Sequence, residues 1–137
     1  MNKSLQEYQA FIDDLVKRAP SVTARAVLAK KWSEQDVRVR SVIQTLNDTQ
    51  REVFAELIQR SREGGIHDTL AYLTDEINLQ EMEISRHGTP LAVEPYWSEM
   101  YYDWTARLNG DEWPEPEAMK PEYATEGSAK DGGESRG

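Results

Sequence analysis

Apolar residues recur every three to four positions along most of this chain. Leu5, Tyr8, Phe11, Ile12, Leu15, Val16 and Ala19 make one such series. It runs between Ser4, which with Glu7 fits a capping box, and Pro20, which cannot continue a helix. Ser21 opens a second helical segment through Val22, Ala26, Val27, Ala29 and Trp32, and Ser33 with Asp36 offers the cap for a third that reaches about Leu46. The third carries an alternating VRVR suited to a strand, but Val39, Val42, Ile43 and Leu46 keep the helical period. Thr49 with Glu52 starts a fourth helix bearing Val53, Phe54, Leu57 and Ile58, and Gly64-Gly65 reads as its stop. A fifth follows, striped by Ile66, Leu70, Leu73 and Ile77.

The period then changes from 3.6 to 2. Met82 and Ile84 alternate with charged residues, Arg86-His87-Gly88-Thr89 supplies turn chemistry, and Leu91 and Val93 alternate beyond it, so residues 81–93 are expected to form a small β-hairpin with Pro90 at an edge or a strand start. After Pro95, the spacing of Trp97, Tyr101, Trp104 and Leu108 predicts the buried face of a sixth helix, ended by Asn109-Gly110. The fold class expected is mainly α, about six helices packed as a single-domain bundle with one hairpin. Residues 1–113 would form that compact domain. Residues 114–137 combine prolines, glycines and charges with only Met119 and Tyr123 as large apolar groups, the composition of a disordered acidic tail.

Charge divides the chain. Residues 1–65 hold eleven Lys or Arg against nine Asp or Glu, and residues 66–137 hold five against sixteen. The second half is therefore a poor surface for phosphate backbones and a good one for a basic partner. The longest apolar runs fall far short of the ~20 residues a membrane-spanning helix requires, so no membrane partner is expected. The charged N-terminus lacks the apolar core of a secretory signal, which makes the cytoplasm the expected location. With no cysteine, the chain has no thiolate nucleophile, iron–sulfur ligand or disulfide.

Candidate chemistry is sparse. His67-Asp68 has the form of a metal-binding dipeptide, but the only other histidine is His87 in the hairpin turn. Asp75, Glu76, Glu81 and Glu83 could hold Mg²⁺ between helices, although the paired carboxylate spacings of all-α pyrophosphohydrolases are absent. Phosphate-binding and nucleophile-elbow motifs are also absent. No catalytic residue, metal or cofactor is assigned. A basic set, Arg25, Lys30, Lys31, Arg38 and Arg40 around Trp32, is either a solvated face or a site for phosphate or for the acidic half of a second copy. The strongest concentration of unusual residues is EPYWSEMYYDWTARLNGDEW. There Tyr96, Trp97, Glu99, Tyr102, Asp103, Asp111, Glu112 and Trp113 join aromatic groups to carboxylates, a composition suited to gripping a basic protein surface. The alternative is that these aromatics merely seal the core.

KKWSEQD, TQREVFAELI, GGIHDTLAYLTDEIN and VEPYWSEMYYDW with GDEWPE together resemble a family of small uncharacterised bacterial proteins, over roughly residues 5–115. The resemblance implies a compact bacterial cytoplasmic domain and no assigned activity. Three functions fit. The preferred one is a non-enzymatic acidic binding or inhibitory protein of the immunity, antitoxin or anti-defence type. The others are a small all-α metal-dependent hydrolase or nucleotide-binding protein using Asp68, Asp75 and Glu76, and a structural subunit of a homo-oligomer.

Overall fold

The computed structural model describes residues 1–124 and is mainly helical. Its helices are α1 (Lys3–Lys17), α2 (Val22–Leu28), α3 (Val37–Ile43), α4 (Asp48–Leu79), α5 (Met100–Leu108) and the single turn α6 (Pro121–Ala124). A two-stranded antiparallel hairpin lies between α4 and α5, pairing β1 (Ser85–Arg86) with β2 (Thr89–Pro90) in the register Ser85 to Pro90 and Arg86 to Thr89. The chain folds as two compact units: Lys17–Asp68, and Met1–Val16 together with the chain from Thr69 onward.

Several helix ends differ from the sequence expectation. Asn2, not Ser4, caps α1, its side chain accepting the Leu5 N–H at 3.2 Å. Ser21 caps α2 as expected, but Asp36 rather than Ser33 caps α3. At α4 the capping box is Asn47 with Gln50, each side chain bonding the other's backbone N–H at 2.8 and 3.0 Å, in place of Thr49 with Glu52.

The largest difference is Gly64-Gly65. The fourth and fifth helices expected around it are one helix of 32 residues. Glycine ends a helix when the chain needs φ > 0, and among the described glycines only Gly88 and Gly110 have it. A glycine inside a helix costs about 1 kcal/mol relative to alanine, which the packing of Ala55, Leu70 and Thr74 along α4 outweighs.

In the Lys17–Asp68 unit the buried apolar residues are Ala19, Ala24, Val27, Ile43 and Ala55. Gln59 ties this unit together, its amide oxygen accepting the Ser21 N–H at 2.8 Å while its NH₂ donates to Ala19 O at 2.8 Å. In the other unit Leu5, Tyr8 and Ile12 of α1 are buried, together with Leu70, Leu91, Ala92, Tyr96, Met100 and Trp104. The hairpin is fastened to α1 by an ion pair, Arg86 Nη2 lying 2.7 Å from Asp14 Oδ2, and by a polar contact of His87 Nδ1 with Glu7 Oε1 at 3.2 Å. Its turn has φ of 53° at His87 and 76° at Gly88, the two positive values that match strand twist in a two-residue hairpin.

Residues 114–124, assigned above to the tail, carry a 3₁₀ turn at Pro116–Ala118 and then α6. They are held by the Lys120 N–H donating to Pro95 O at 2.7 Å and by Tyr123 Oη accepting the Val93 N–H at 3.0 Å. The rest of the tail, 125–137, lies outside the described residues.

Candidate functional site

The site begins with the geometry of α5. Its buried positions are Met100, Asp103 and Trp104, at i, i+3 and i+4. This stripe is rotated from the expected one: Trp97 precedes the helix and is 68% exposed, while Tyr101 and Leu108 are only half-buried. The rotation has a polar cause. Asp103 reaches inward because two hydroxyls meet it, Tyr8 Oη donating to Oδ2 at 2.5 Å and Ser98 Oγ to Oδ1 at 2.6 Å. Desolvation nevertheless dominates, pushing the Asp103 carboxyl above the ordinary carboxylate range even though both hydroxyls favour its charge. Burial and the neighbouring Asp103 together push the Tyr8 phenol well above its usual range.

A second inward pair lies one turn on. Arg107 is clamped by Asp13 of α1, Nε to Oδ1 at 2.8 Å and Nη2 to Oδ2 at 3.2 Å, the bidentate geometry that a guanidinium fits best. Arg107 also lies over the Trp113 ring, 4.9 Å from its centroid, and donates from Nη1 to Asp111 O at 2.8 Å. Trp113 in turn donates from Nε1 to Asp13 Oδ2 at 3.2 Å and stacks on Tyr96 with ring centroids 5.5 Å apart. Gly110, φ 91°, makes the bend that brings Trp113 back, with the Asp111 N–H closing onto Ala106 O at 3.0 Å.

These contacts leave a groove of ≈ 370 Å³ walled by Tyr96, Tyr102, Ala106, Arg107, Trp113 and Pro114, with Asp111 and Glu112 on its edge. Of the eight residues expected to face a partner, Tyr102 is 62% exposed, and Trp97, Asp111 and Glu112 are exposed as well. Trp113 and Glu99 are half-buried. Tyr96 and Asp103 are buried, yet both line the groove from within. Trp97 has φ 66°, a conformation costly for a bulky residue, and it holds a cation already, Lys120 Nζ 5.1 Å from its ring centroid. Sequence reasoning missed Tyr8, Asp13, Ser98, Arg107 and Lys120. The one available signal is the i, i+4 pair Asp103 and Arg107 on the helix face that also carries Trp104.

The other candidates stay apart. Asp68 and Asp75 are exposed, Glu76 is half-buried, and Glu81 and Glu83 are exposed. Among the described residues no group of three or more His, Asp or Glu side chains converges as a metal site. Arg25, Lys30, Lys31 and Arg38 are exposed and Arg40 half-buried, while Trp32 Nε1 reaches Asp36 Oδ2 at 3.4 Å. A larger cavity of ≈ 470 Å³ is lined by Thr74, Ile77, Met82, Ile84, Leu91 and Met100, with Asn78 bonded to Glu94 at its rim at 2.8 Å. Among the described residues no helix is long and apolar enough to cross a membrane.

No curated protein and no solved structure matches the chain. Its inward carboxylate, clamped arginine and folded-back tryptophan all lie within a stretch that one family description does match, and through residues 1–115 the chain belongs to DUF6547, a family of unknown function.

Proposed function

We propose that this is a non-catalytic bacterial cytoplasmic protein, inhibitory in the manner of an immunity protein or antitoxin, which grips a basic segment of another protein along the α5 groove. The observation that carries the reading is the exposure of two aromatics at α5, Trp97 at 68% and Tyr102 at 62%, with Asp111 and Glu112 on the edge of the groove that Tyr102 lines. Exposed aromatics and carboxylates together offer packing, cation–π contact and charge to a lysine- or arginine-rich segment. Arg107 does not cancel that field at the groove, because Asp13 neutralises it. Lys120 above Trp97 occupies the place that a partner's cation would take. Asp103 lines the groove from within and also holds α5 against Tyr8.

The test uses defined probes. A fluorescein-labelled Lys/Arg-rich peptide and its Glu-substituted counterpart are titrated with the protein at about 50 and about 300 mM salt, a change that shortens the screening length from roughly 14 to roughly 6 Å. Binding of the basic peptide alone, weakened by salt, lost in Trp97→Ala with Tyr102→Ala and slowed in Asp111→Asn with Glu112→Gln, supports the proposal. Equal binding of both peptides, or none of either, overturns it.

A further inference from the structure

The cavity of ≈ 470 Å³ at the end of α4 lies wholly within the unit made of Met1–Val16 and the chain from Thr69 onward. Its volume falls in the range of about 300–1,000 Å³ that small-molecule sites occupy, and its walls come from α1, α4, both flanks of the hairpin, α5 and α6. The inner wall is apolar. Leu91, Ala92 and Met100 are buried, and Ile77, Met82 and Ile84 are half-buried around them. The unbranched side chains of Met82 and Met100 can adapt to the shape of an apolar guest.

The charge on this cavity has one sign. Glu81, Glu83 and Glu94 line it, and no lysine, arginine or histidine does. Glu94 accepts from the Asn78 amide at 2.8 Å, Glu83 meets only the Ser85 hydroxyl at 3.5 Å, and Glu81 has no side-chain partner among the described residues. The side-chain cations of this unit's described residues are placed elsewhere. Arg86 pairs with Asp14 and Glu7, His87 contacts Glu7, Arg107 pairs with Asp13, Lys120 holds Val93 O at 3.2 Å and the Trp97 ring, and Lys3 is exposed. Glu94 is half-buried, and its charge, behind desolvation, is among the influences that raise the Asp103 pKa. Hydrogen-bond donors are scarce as well. The N–H groups of Met82, Leu91, Ala92 and Val93 are already engaged by Glu76 O, Ile84 O, Ser4 O and Tyr123 Oη at 2.8–3.2 Å. An anion would find neither a cation nor a free donor among these groups, whereas a cation finds three carboxylates. Glu81 and Glu94 also hold left-handed backbone, φ 58° and 45°, a conformation that persists in such residues only where the surroundings fix it, and here it sets two carboxylates on one cavity.

We infer that this cavity binds a small organic cation, an ammonium group carried on an apolar chain, with the ammonium among Glu81, Glu83 and Glu94 and the chain against Leu91, Met82 and Met100. The site is separate from the α5 groove and does not depend on the reading of that groove.

Hexylamine, protonated at pH 7 as a lysine side chain is, is the probe, titrated into the full chain carrying ¹³C-methyl methionine. The chain has four methionines, Met1, Met82, Met100 and Met119, and only Met82 and Met100 line the cavity, so the other two serve as internal controls. The expected result is a saturable shift of the Met82 and Met100 methyls, with affinity falling about fourfold for each methylene removed down to butylamine. Hexanoate and hexanol should bind at least about tenfold more weakly than hexylamine, and Glu81→Gln with Glu83→Gln and Glu94→Gln should remove most of that preference while the protein melts as before. Met82→Trp should fill the cavity and abolish the shift at Met100; if that variant does not fold, the glutamine variant decides alone. The Lys/Arg-rich peptide used on the α5 groove should leave both methyls unmoved. No saturable shift by about 30 mM hexylamine, the weakest binding that ordinary ligand efficiency gives a molecule of this size, would overturn the assignment. So would equal binding of hexanoate or hexanol, equal shifts at Met1 and Met119, or displacement of hexylamine by the basic peptide, which would make the cavity a seat for a partner's lysine.

Discussion

Replacing Tyr8 by Phe removes one oxygen from the centre of the α1–α5 contact. Tyr8 is 0% exposed, so no water takes the place of its hydroxyl, and Asp103, 5% exposed, is left with Ser98 as its remaining hydroxyl donor. A hydrogen bond to a charged group contributes about 1.5–3 kcal/mol, and the ring stays to fill its space, so the variant should lose about 2 kcal/mol at pH 7. For a chain of this size that is a fall of roughly 6–10 °C in melting midpoint. The pH dependence gives a second handle. Burial raises the Asp103 pKa above its ordinary value of 3.8, so the stability linked to its proton is fully present below that value and is lost as pH rises through the folded pKa. Tyr8→Phe withdraws a donor that favours the carboxylate and raises the folded pKa further, so the gap between variant and parent should widen as pH rises above 3.8 through the two folded pKa values. Urea unfolding of both proteins across that range measures it. A cost below about 0.5 kcal/mol at pH 7, or one that does not change with pH, would refute the account of a desolvated carboxylate held by Tyr8.

The other expectations concern single side chains. Trp104 is 2% exposed and its indole N–H has no acceptor among the described residues, so Trp104→Phe should cost less than about 1.5 kcal/mol, while Trp113→Phe, which forfeits the bond to Asp13, should cost more by differential melting. Asn47→Ala removes one arm of the capping box of α4 and should destabilise by about 1 kcal/mol in urea. Trp97→Gly relieves a left-handed backbone at an exposed position and should leave stability unchanged or raised by up to about 1 kcal/mol, while abolishing basic-peptide binding in the titration above.

How far the fold is legible in the sequence depends on whether the deciding interaction is local. The turn at His87-Gly88 and the stop at Gly110 follow from glycine chemistry within a few residues, and both stand where expected. The α1 stripe of Leu5, Tyr8 and Ile12 is likewise carried by period alone. Gly64-Gly65 carries the same signal and means something else, because helix packing on either side overrides it, and that packing is not local. The α5 face is misaligned for a related reason. Apolar spacing selects Trp97, Tyr101, Trp104 and Leu108, whereas the true inner face includes Asp103 and Arg107, whose partners Tyr8 and Asp13 lie more than ninety residues away. The aromatic cluster is visible in the sequence, but its division into scaffold and surface is not: Tyr96 lies inside and Trp97 outside.

The order of elements along the chain also governs how the molecule is made. α1 leaves the ribosome well before α5, and its Ser4, Tyr8 and Asp13 wait for Ala92, Asp103 and Arg107 to complete their contacts. At translation speeds of about 5–20 residues per second, the apolar face of α1 emerges on the order of 5–20 s before its counterpart exists. During that interval the intervening Lys17–Asp68 segment can fold locally, but Leu5, Tyr8 and Ile12 have nothing native to cover them. A nascent chain so arranged needs shelter for α1, and its last folding step is the return of the α5 segment to that helix.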